Sequence, residues 1–471
     1  MAEQKTAAVT VNGETKTAAI GSRLSDLLDL FLPCGGLGKC GKCVVLVNGK
    51  KERACRYRIL SDCTVETPEP DGEILSVSGA EESGCAAGRL ALALDVGTTT
   101  LALALVSLDE GRIARVLTAA NPQAAFGADV MSRIGYCAAH GPQKLQSVLV
   151  EEINRLIETM EIPEVPTLYA AGNMTMLHLF LGEDCSSLGA APYTPVFLKT
   201  RRAEAQILGL SGVREVVTLP GISAFVGADL VAGLNLIGMP REGMHRLLVD
   251  LGTNAEIVLF SRDSALCTAA AAGPCFEGAN ISCGMSATSG AISAFSFDEE
   301  GGRHIRTVNN APAKGLCGTG LIDVIAALLD RGAIDESGLL SPSPYPLADG
   351  IFLTGRDVRQ FQLAKSAVCS AVLTLMERKG VSFDEIDSLC LSGGFSAFIN
   401  VKNAVRTGLL PAELGDRCRA VNNSSLLGTA AYACRQNDLS AYTAHAGYLD
   451  LSPDPLFAEL FVDNLLFPET R

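Results

Sequence analysis

The sequence has no surplus of positive charge: 38 Lys and Arg stand against 52 Asp and Glu, a formal net charge of −14. Nucleic-acid binding needs Lys and Arg clustered on one face to meet phosphates, so this balance argues against a nucleic-acid partner. Long apolar runs are also missing. Each hydrophobic stretch is interrupted by Asp, Gly or Pro, and no membrane span is expected. The opening MAEQKTAAVTVNGETK has no basic region followed by an apolar core, so no secretion signal is read and the expected location is cytoplasmic. A chain of 471 residues with 48% hydrophobic content has enough apolar surface for two or three cored domains. What is not scarce is cysteine. Sixteen cysteines in a reducing compartment read as thiols or metal ligands rather than as a disulfide framework.

Spacing separates these cysteines. Cys34, Cys40, Cys43 and Cys55 crowd the glycine-rich stretch PCGGLGKCGKC and the hairpin after it. Cys63, Cys85, Cys137, Cys185, Cys369, Cys390, Cys418 and Cys434 are scattered and read as small buried hydrophobes. Cys267, Cys275 and Cys283 recur every eight residues, wider than adjacent cluster ligands usually sit. Around the first group, residues 7–20 read as two strands joined at Asn12-Gly13, and Ser22 as the cap of a helix through Leu32. A strand at 43–47 turns at Asn48-Gly49 and returns to Cys55, bringing the fourth thiol back to the loop. The spacing resembles the ferredoxin family and implies a small β-grasp domain holding one [2Fe-2S] cluster. A four-thiolate zinc site is the alternative, although zinc favours two tight CxxC pairs. GLGKCGKC also approaches a phosphate-binding P-loop, but Cys43 stands where Ser or Thr would bind Mg²⁺ and a strand follows. Lys39, Lys42, Lys50, Lys51, Arg53, Arg56 and Arg58, opposed by Glu52, form a basic collar that either offsets the cluster's charge or docks an acidic partner.

The organising stretch of the chain is Leu90 to Val106, LALALDVGTTTLALALV: two alternating apolar runs around Asp95-Val96-Gly97-Thr98-Thr99-Thr100. Gly97 permits close approach of a ligand to the backbone, the threonine amides and hydroxyls can donate to phosphate, and Asp95 can hold a metal or an activating water. The pattern recurs in LLVDLGTNAEIVLF, with Asp250, Gly252, Thr253 and Asn254. Two such turns at domain-scale separation imply a duplicated unit with two phosphate turns facing across a cleft. Asn173 in LYAAGNMTMLHLFLG is either a helix cap or a ligand contact, and His178 beside it reads as packed. Gly318 and Gly320 in GLCGTGL, and Gly393, Gly394 and Phe395 in CLSGGFSAF, are turn positions suited to a base or ribose against bare backbone.

In this order, DVGTTT, DLGTNAE and SGGF resemble the phosphate-1, phosphate-2 and adenosine motifs of the acetate and sugar kinase, heat-shock chaperone and actin (ASKHA) superfamily. NPQAAFGADV, GNMTMLHL, AGPCFEGANISCGM and RDVRQFQLAK resemble its branch of ATP-dependent reductive activators of corrinoid proteins. The resemblance implies an α/β fold: a duplicated ribonuclease-H-like two-lobed ATPase preceded by a β-grasp [2Fe-2S] ferredoxin domain. The expected divisions are 1–80 for the ferredoxin-like domain, 81–89 for a linker in a Pro-, Glu-, Ser- and Gly-rich stretch, 90–244 for the first lobe and 245–471 for the second. It further implies ATP and Mg²⁺ at Asp95 and Asp250, cluster ligation by Cys34, Cys40, Cys43 and Cys55, an upstream electron donor, a corrinoid protein as partner, and room for a homodimer. Larger members carry an additional segment before the ATPase region, and here the linker leads almost directly to Asp95. A small-molecule kinase, an activator of another low-potential enzyme and an ATP-gated redox sensor stay open as alternatives.

Overall fold

The computed structural model describes residues 6–11, 13–28, 44–66, 88–127, 129–252, 254–393 and 398–469. Strands β1 (Thr6–Val11) and β2 (Glu14–Ala19) form the first hairpin, and β3 (Val44–Val47) and β4 (Lys50–Arg53) the second. β5 (Cys63–Glu66) runs between them, parallel to β1 and antiparallel to β3, giving the order β2-β1-β5-β3-β4. Val9, Val45, Val47 and Val65 close on Leu24, Cys55 and Ile59 in a small core of their own. All four residues of the edge strand β4 are exposed, as its charges demand. Ser22 does not cap a helix. Its hydroxyl donates to the Ala19 carbonyl (2.6 Å), and a short 3₁₀ turn, Leu24–Asp26, follows from Arg23. Residues 29–32 of the expected helix, together with Cys34, Cys40, Cys43 and Cys85, lie outside the described residues.

The strands β6 (Leu90–Val96), β7 (Thr100–Ser107), β8 (Arg112–Ala120), β9 (Val165–Gly172), β10 (Arg201–Glu204) and β11 (Val213–Thr218) build one sheet, ordered β10-β11-β9-β6-β7-β8. Its central strands are apolar on both faces because helices cover them, which is why LALALDV reads as a near-continuous hydrophobic run. Helices α1 (Val130–His140), α2 (Gln143–Thr159), α3 (Met174–Leu181) and α4 (Ala228–Ile237) belong to this half.

The pattern then repeats. β12 (His245–Leu251), β13 (Ala255–Phe260) and β14 (Ala265–Ala270) form an antiparallel trio. β15 (Ala291–Phe297), β16 (Arg303–Thr307) and β17 (Gly315–Leu316) make a small side sheet, and β18 (Tyr345–Ala348) pairs with β19 (Ile351–Leu353). Helices α5 (Gly318–Asp330), α6 (Gly355–Lys379) and α7 (Val401–Arg406) come from the same stretch, and β20 (Ile386–Ser392) and β21 (Cys418–Ala420) extend the second main sheet parallel to β12. β22 (Ala446–Tyr448) completes it in the order β21-β20-β12-β13-β14-β22. In both sheets three antiparallel strands are followed by a strand parallel to the first and a second parallel strand beyond it, the signature of a duplicated unit. Helix α8 (Ser424–Arg435) leaves the second sheet, packs on α4, and lays Leu426, Leu427 and Ala430 against Ala93, Ala102, Ala104 and Val106 of the first.

Candidate functional site

Asp95 ends β6 beside the parallel strand β9, and Asp250 ends β12 beside the parallel strand β20, where it pairs with Ser392. Carboxyl ends of central strands at a switch in strand order are where open α/β sheets bind ligands. The two acidic turns therefore occupy equivalent places in the two sheets. Two further carboxylates join them. Asp229 sits in the first turn of α4, and Glu256 lies on β13 directly across from Asp250. Burial pushes the pKa of all four upward. Mutual repulsion adds to it: Asp95 raises Asp250, and both raise Asp229. Asp229 reaches about 7 and Asp250 about 6. The sequence reading missed Asp229 and Glu256. Glu256 was visible in DLGTNAE, and Asp229 in the Gly-Ala-Asp that opens a helix.

Such a set of half-buried acids gains by meeting a divalent cation. Among the described residues no three metal-ligating side chains converge closely enough to hold an ion by themselves. The raised values also set a pH dependence. Between about pH 4 and their folded values, Asp229 and Asp250 bind more protons folded than unfolded, so their contribution to stability is lost as pH rises through about 6 to 7. Denaturant melts without Mg²⁺ should show stability falling from pH 5 to 7, and the Asp229→Asn variant should flatten that slope by up to roughly 1.4 kcal/mol per pH unit between about pH 5 and 6, with the difference fading above about pH 7. A variant slope equal to wild type would remove Asp229 from the acidic cluster.

The phosphate-1 turn is held from behind. The Gly97 carbonyl accepts from Asn121 Nδ2 (2.8 Å), the Thr98 carbonyl from Arg133 (2.7 Å) and the Thr99 carbonyl from the Asn121 backbone N–H (2.8 Å). In a trans peptide the N–H points opposite to the C=O, so the Thr98, Thr99 and Thr100 amides are turned away from this support as a row of donors. A Cβ on Gly97 would stand 2.3 Å from the Thr100 carbonyl, so the turn closes only with glycine. Arg133 is fully buried, and its guanidinium also donates to the Gly127 carbonyl and to Gln123 Oε1. Burial lowers its pKa to about 10, which leaves a permanent cation behind the donors. Asn121, Gln123 and Arg133 all lie in the NPQAAFGADVMSRI stretch, yet no spacing rule marks them as neighbours of Thr98.

Asn173 is a cap: its Oδ1 accepts from the Met176 N–H (3.0 Å), while its Nδ2 donates to Thr98 Oγ1 (3.0 Å) and ties α3 to the turn. His178 is packed, with the Val196 N–H donating to Nε2 (2.9 Å) and Nδ1 against the Met174 carbonyl (2.6 Å). In the second turn the Gly252 N–H donates to the Asn254 carbonyl (2.9 Å), and Thr253 lies outside the described residues. Gly393 has φ +115°, and a Cβ there would meet the Leu251 carbonyl at 2.2 Å, so the adenosine turn presses on the end of β12. Gly394 and Phe395 lie outside the described residues. Gly318 and Gly320 are buried, and close approaches to the Phe276 and Ile292 carbonyls account for both. Cys55 is buried after β4. Cys63, Cys137, Cys185, Cys369 and Cys390 are buried as read, whereas Cys418 and Cys434 are partly exposed. Cys267 and Cys275 are buried, with pKa pushed up to about 12, as expected of packed thiols.

Two sheets that share a five-strand core, each ending its first strand on a half-buried aspartate at a glycine turn, define a nucleotide-binding protein of the ASKHA class. Comparison with known families makes this specific. Residues 244–471 match the C-terminal domain of RACo, its ASKHA domain, and residues 90–242 match the RACo middle region. The chain is 31% identical over 422 residues to the corrinoid activation enzyme RamQ of Eubacterium limosum, covering 80% of this chain and 70% of RamQ. It is 27% identical over 356 residues to the [Co(II) methylated amine-specific corrinoid protein] reductase of Methanosarcina barkeri, covering 68% of this chain and 65% of that protein. A solved reductive activator for a corrinoid, iron-sulfur protein aligns over 99% of both chains with TM-score 0.72 and 26% identity. The chain belongs to the RACo family of reductive activators of corrinoid proteins.

Proposed function

We propose that this chain uses ATP to deliver one electron to the Co(II) centre of a corrinoid protein, restoring Co(I). The observation that carries the reading is the pair of acidic turns in matching sheets, in a chain that aligns end to end with a reductive activator. Asp95 and Asp250 would orient Mg²⁺ and the attacking water, and the turn amides would stabilise the transferring phosphoryl group. Cys34, Cys40, Cys43 and Cys55 would hold a [2Fe-2S] cluster, which supplies single electrons at a potential near −400 mV in plant-type ferredoxins. Cys55 lies in the small N-terminal core, beside the exposed basic strand β4. An electron donor of acidic surface would suit that strand. The decisive assay mixes reduced protein, ATP and candidate Co(II) corrinoid proteins and follows Co(I) absorbance. A phosphorylated small molecule instead of Co(I) would replace this reading with a kinase.

The domains should separate chemically. Cys55→Ser is expected to abolish or distort the electron resonance of the reduced cluster while nucleotide affinity stays within about twofold, because the ligand and the cleft lie in different cores. Iron content, resonance spectra and calorimetric nucleotide binding check this. Concerted loss of both properties would show that the N-terminal sheet and the cleft are one unit.

A further inference from the structure

Asp95 is held by residues more than 300 positions away. Asn423 Nδ2 donates to its Oδ2 (3.0 Å) and Ser425 Oγ to its Oδ1 (2.7 Å), so each carboxylate oxygen is fixed by one donor. Both donors lie where the chain leaves the second sheet for α8. Asn423 caps that helix, its Oδ1 accepting from the Leu426 N–H (2.8 Å). Its backbone is left-handed (φ 36°, ψ 67°), a conformation that Asn and Asp tolerate best after Gly. The cap fixes which way the amide faces: oxygen into the helix, nitrogen toward Asp95. Ser424, between the two donors, accepts from the hydroxyl of Ser392 (2.5 Å), the strand neighbour of Asp250. The helix beyond is fastened to the first sheet through Leu426, Leu427 and Ala430, whereas the residues before it belong to the second, with the Val421 N–H donating to the Leu391 carbonyl.

We propose that Asn423 and Ser425 are positioning residues for Asp95, so that the hydrolytic site is complete only when the segment leaving the second lobe is seated against the first. This rests on the ATPase reading above. Hydrolysis and the joint between the lobes then share one set of hydrogen bonds. Any movement of α8's first turn relative to β6 loosens Asp95, and through Ser424 it pulls on Ser392, the strand neighbour of Asp250. This gives ATP turnover a direct mechanical link to the relative placement of the two lobes.

Steady-state ATPase assays of wild type, Asn423→Asp, Ser425→Ala, Asp95→Asn and the Asp95→Asn/Asn423→Asp double variant test it. Aspartate caps a helix as well as asparagine and tolerates the same backbone, so a merely structural role leaves Asn423→Asp with wild-type kcat. The positioning role predicts a fall of about tenfold or more in kcat, with KM for ATP changed by less than about threefold. Ser425→Ala should fall in the same direction by a smaller factor. In the Asp95→Asn background, Asn423→Asp should cost less than about twofold, because the group it positions is already gone. Wild-type kcat in Asn423→Asp, or an undiminished further loss in the Asp95→Asn background, overturns the proposal. If Asn423→Asp does not fold, Ser425→Ala decides, and wild-type kcat there overturns it equally. Absence of ATPase activity in the wild-type protein would instead remove the parent reading.

Discussion

Asp250→Asn should lower ATP hydrolysis by a factor on the order of a hundred or more while nucleotide still binds. The carboxylate ends β12 beside Ser392 of β20, and on the proposed reading it orients Mg²⁺ or water beside the terminal phosphate. Asparagine keeps the shape and removes the charge. The same change relieves repulsion with Asp229, Glu256 and Asp95, so Tm at pH 7 to 8 should rise rather than fall. Lost turnover with raised stability separates a functional defect from unfolding. If hydrolysis supplies the driving force, the variant should also reduce its corrinoid partner no better than wild type without nucleotide. Wild-type cobalt reduction would show that binding suffices, and full ATPase activity would take Asp250 out of the site.

Arg133→Met is expected to damage both fold and nucleotide binding. It leaves the Thr98 and Gly127 carbonyls without this donor and Gln123 Oε1 with only the long contact from Asn121 Nδ2 (3.5 Å), at about 1 to 3 kcal/mol for each buried group left unsatisfied. Stability should fall by several kcal/mol on this scale, and ADP affinity by about tenfold or more, because the Thr98–Thr99 peptide is no longer fixed with its N–H outward. Arg133→Lys should restore only part of either, since an ammonium cannot span three acceptors in the guanidinium's plane. Denaturant melts and ADP calorimetry measure the two effects. Wild-type ADP affinity in the methionine variant would show that the turn holds its shape without this cation.

Much of this molecule was legible because its signals are local. The alternating runs around DVGTTT and DLGTNAE each specify a strand, a turn and a strand within some fifteen residues, and hydrophobic period and glycine placement need no distant partner. The N-terminal hairpins at Asn12-Gly13 and Asn48-Gly49 were readable for the same reason. The misread cap at Ser22 shows the limit: its hydroxyl is used by the turn after β2. Asn173 shows another, because one side chain serves both as cap and as tie to Thr98.

The sequence by itself determined the duplicated turn and where its two aspartates fall in the strands, since each is written in contiguous residues whose chemistry and spacing are sufficient. Only the tertiary structure decided what surrounds them. Asp229 joins the acids because α4 starts beside the cleft, and Arg133 stands behind Thr98 because α1 packs under the turn. Asn423 and Ser425 reach Asp95 because α8 crosses from one sheet to the other. Such contacts depend on how helices seat against two sheets, a sum of many small packing energies that no local pattern encodes.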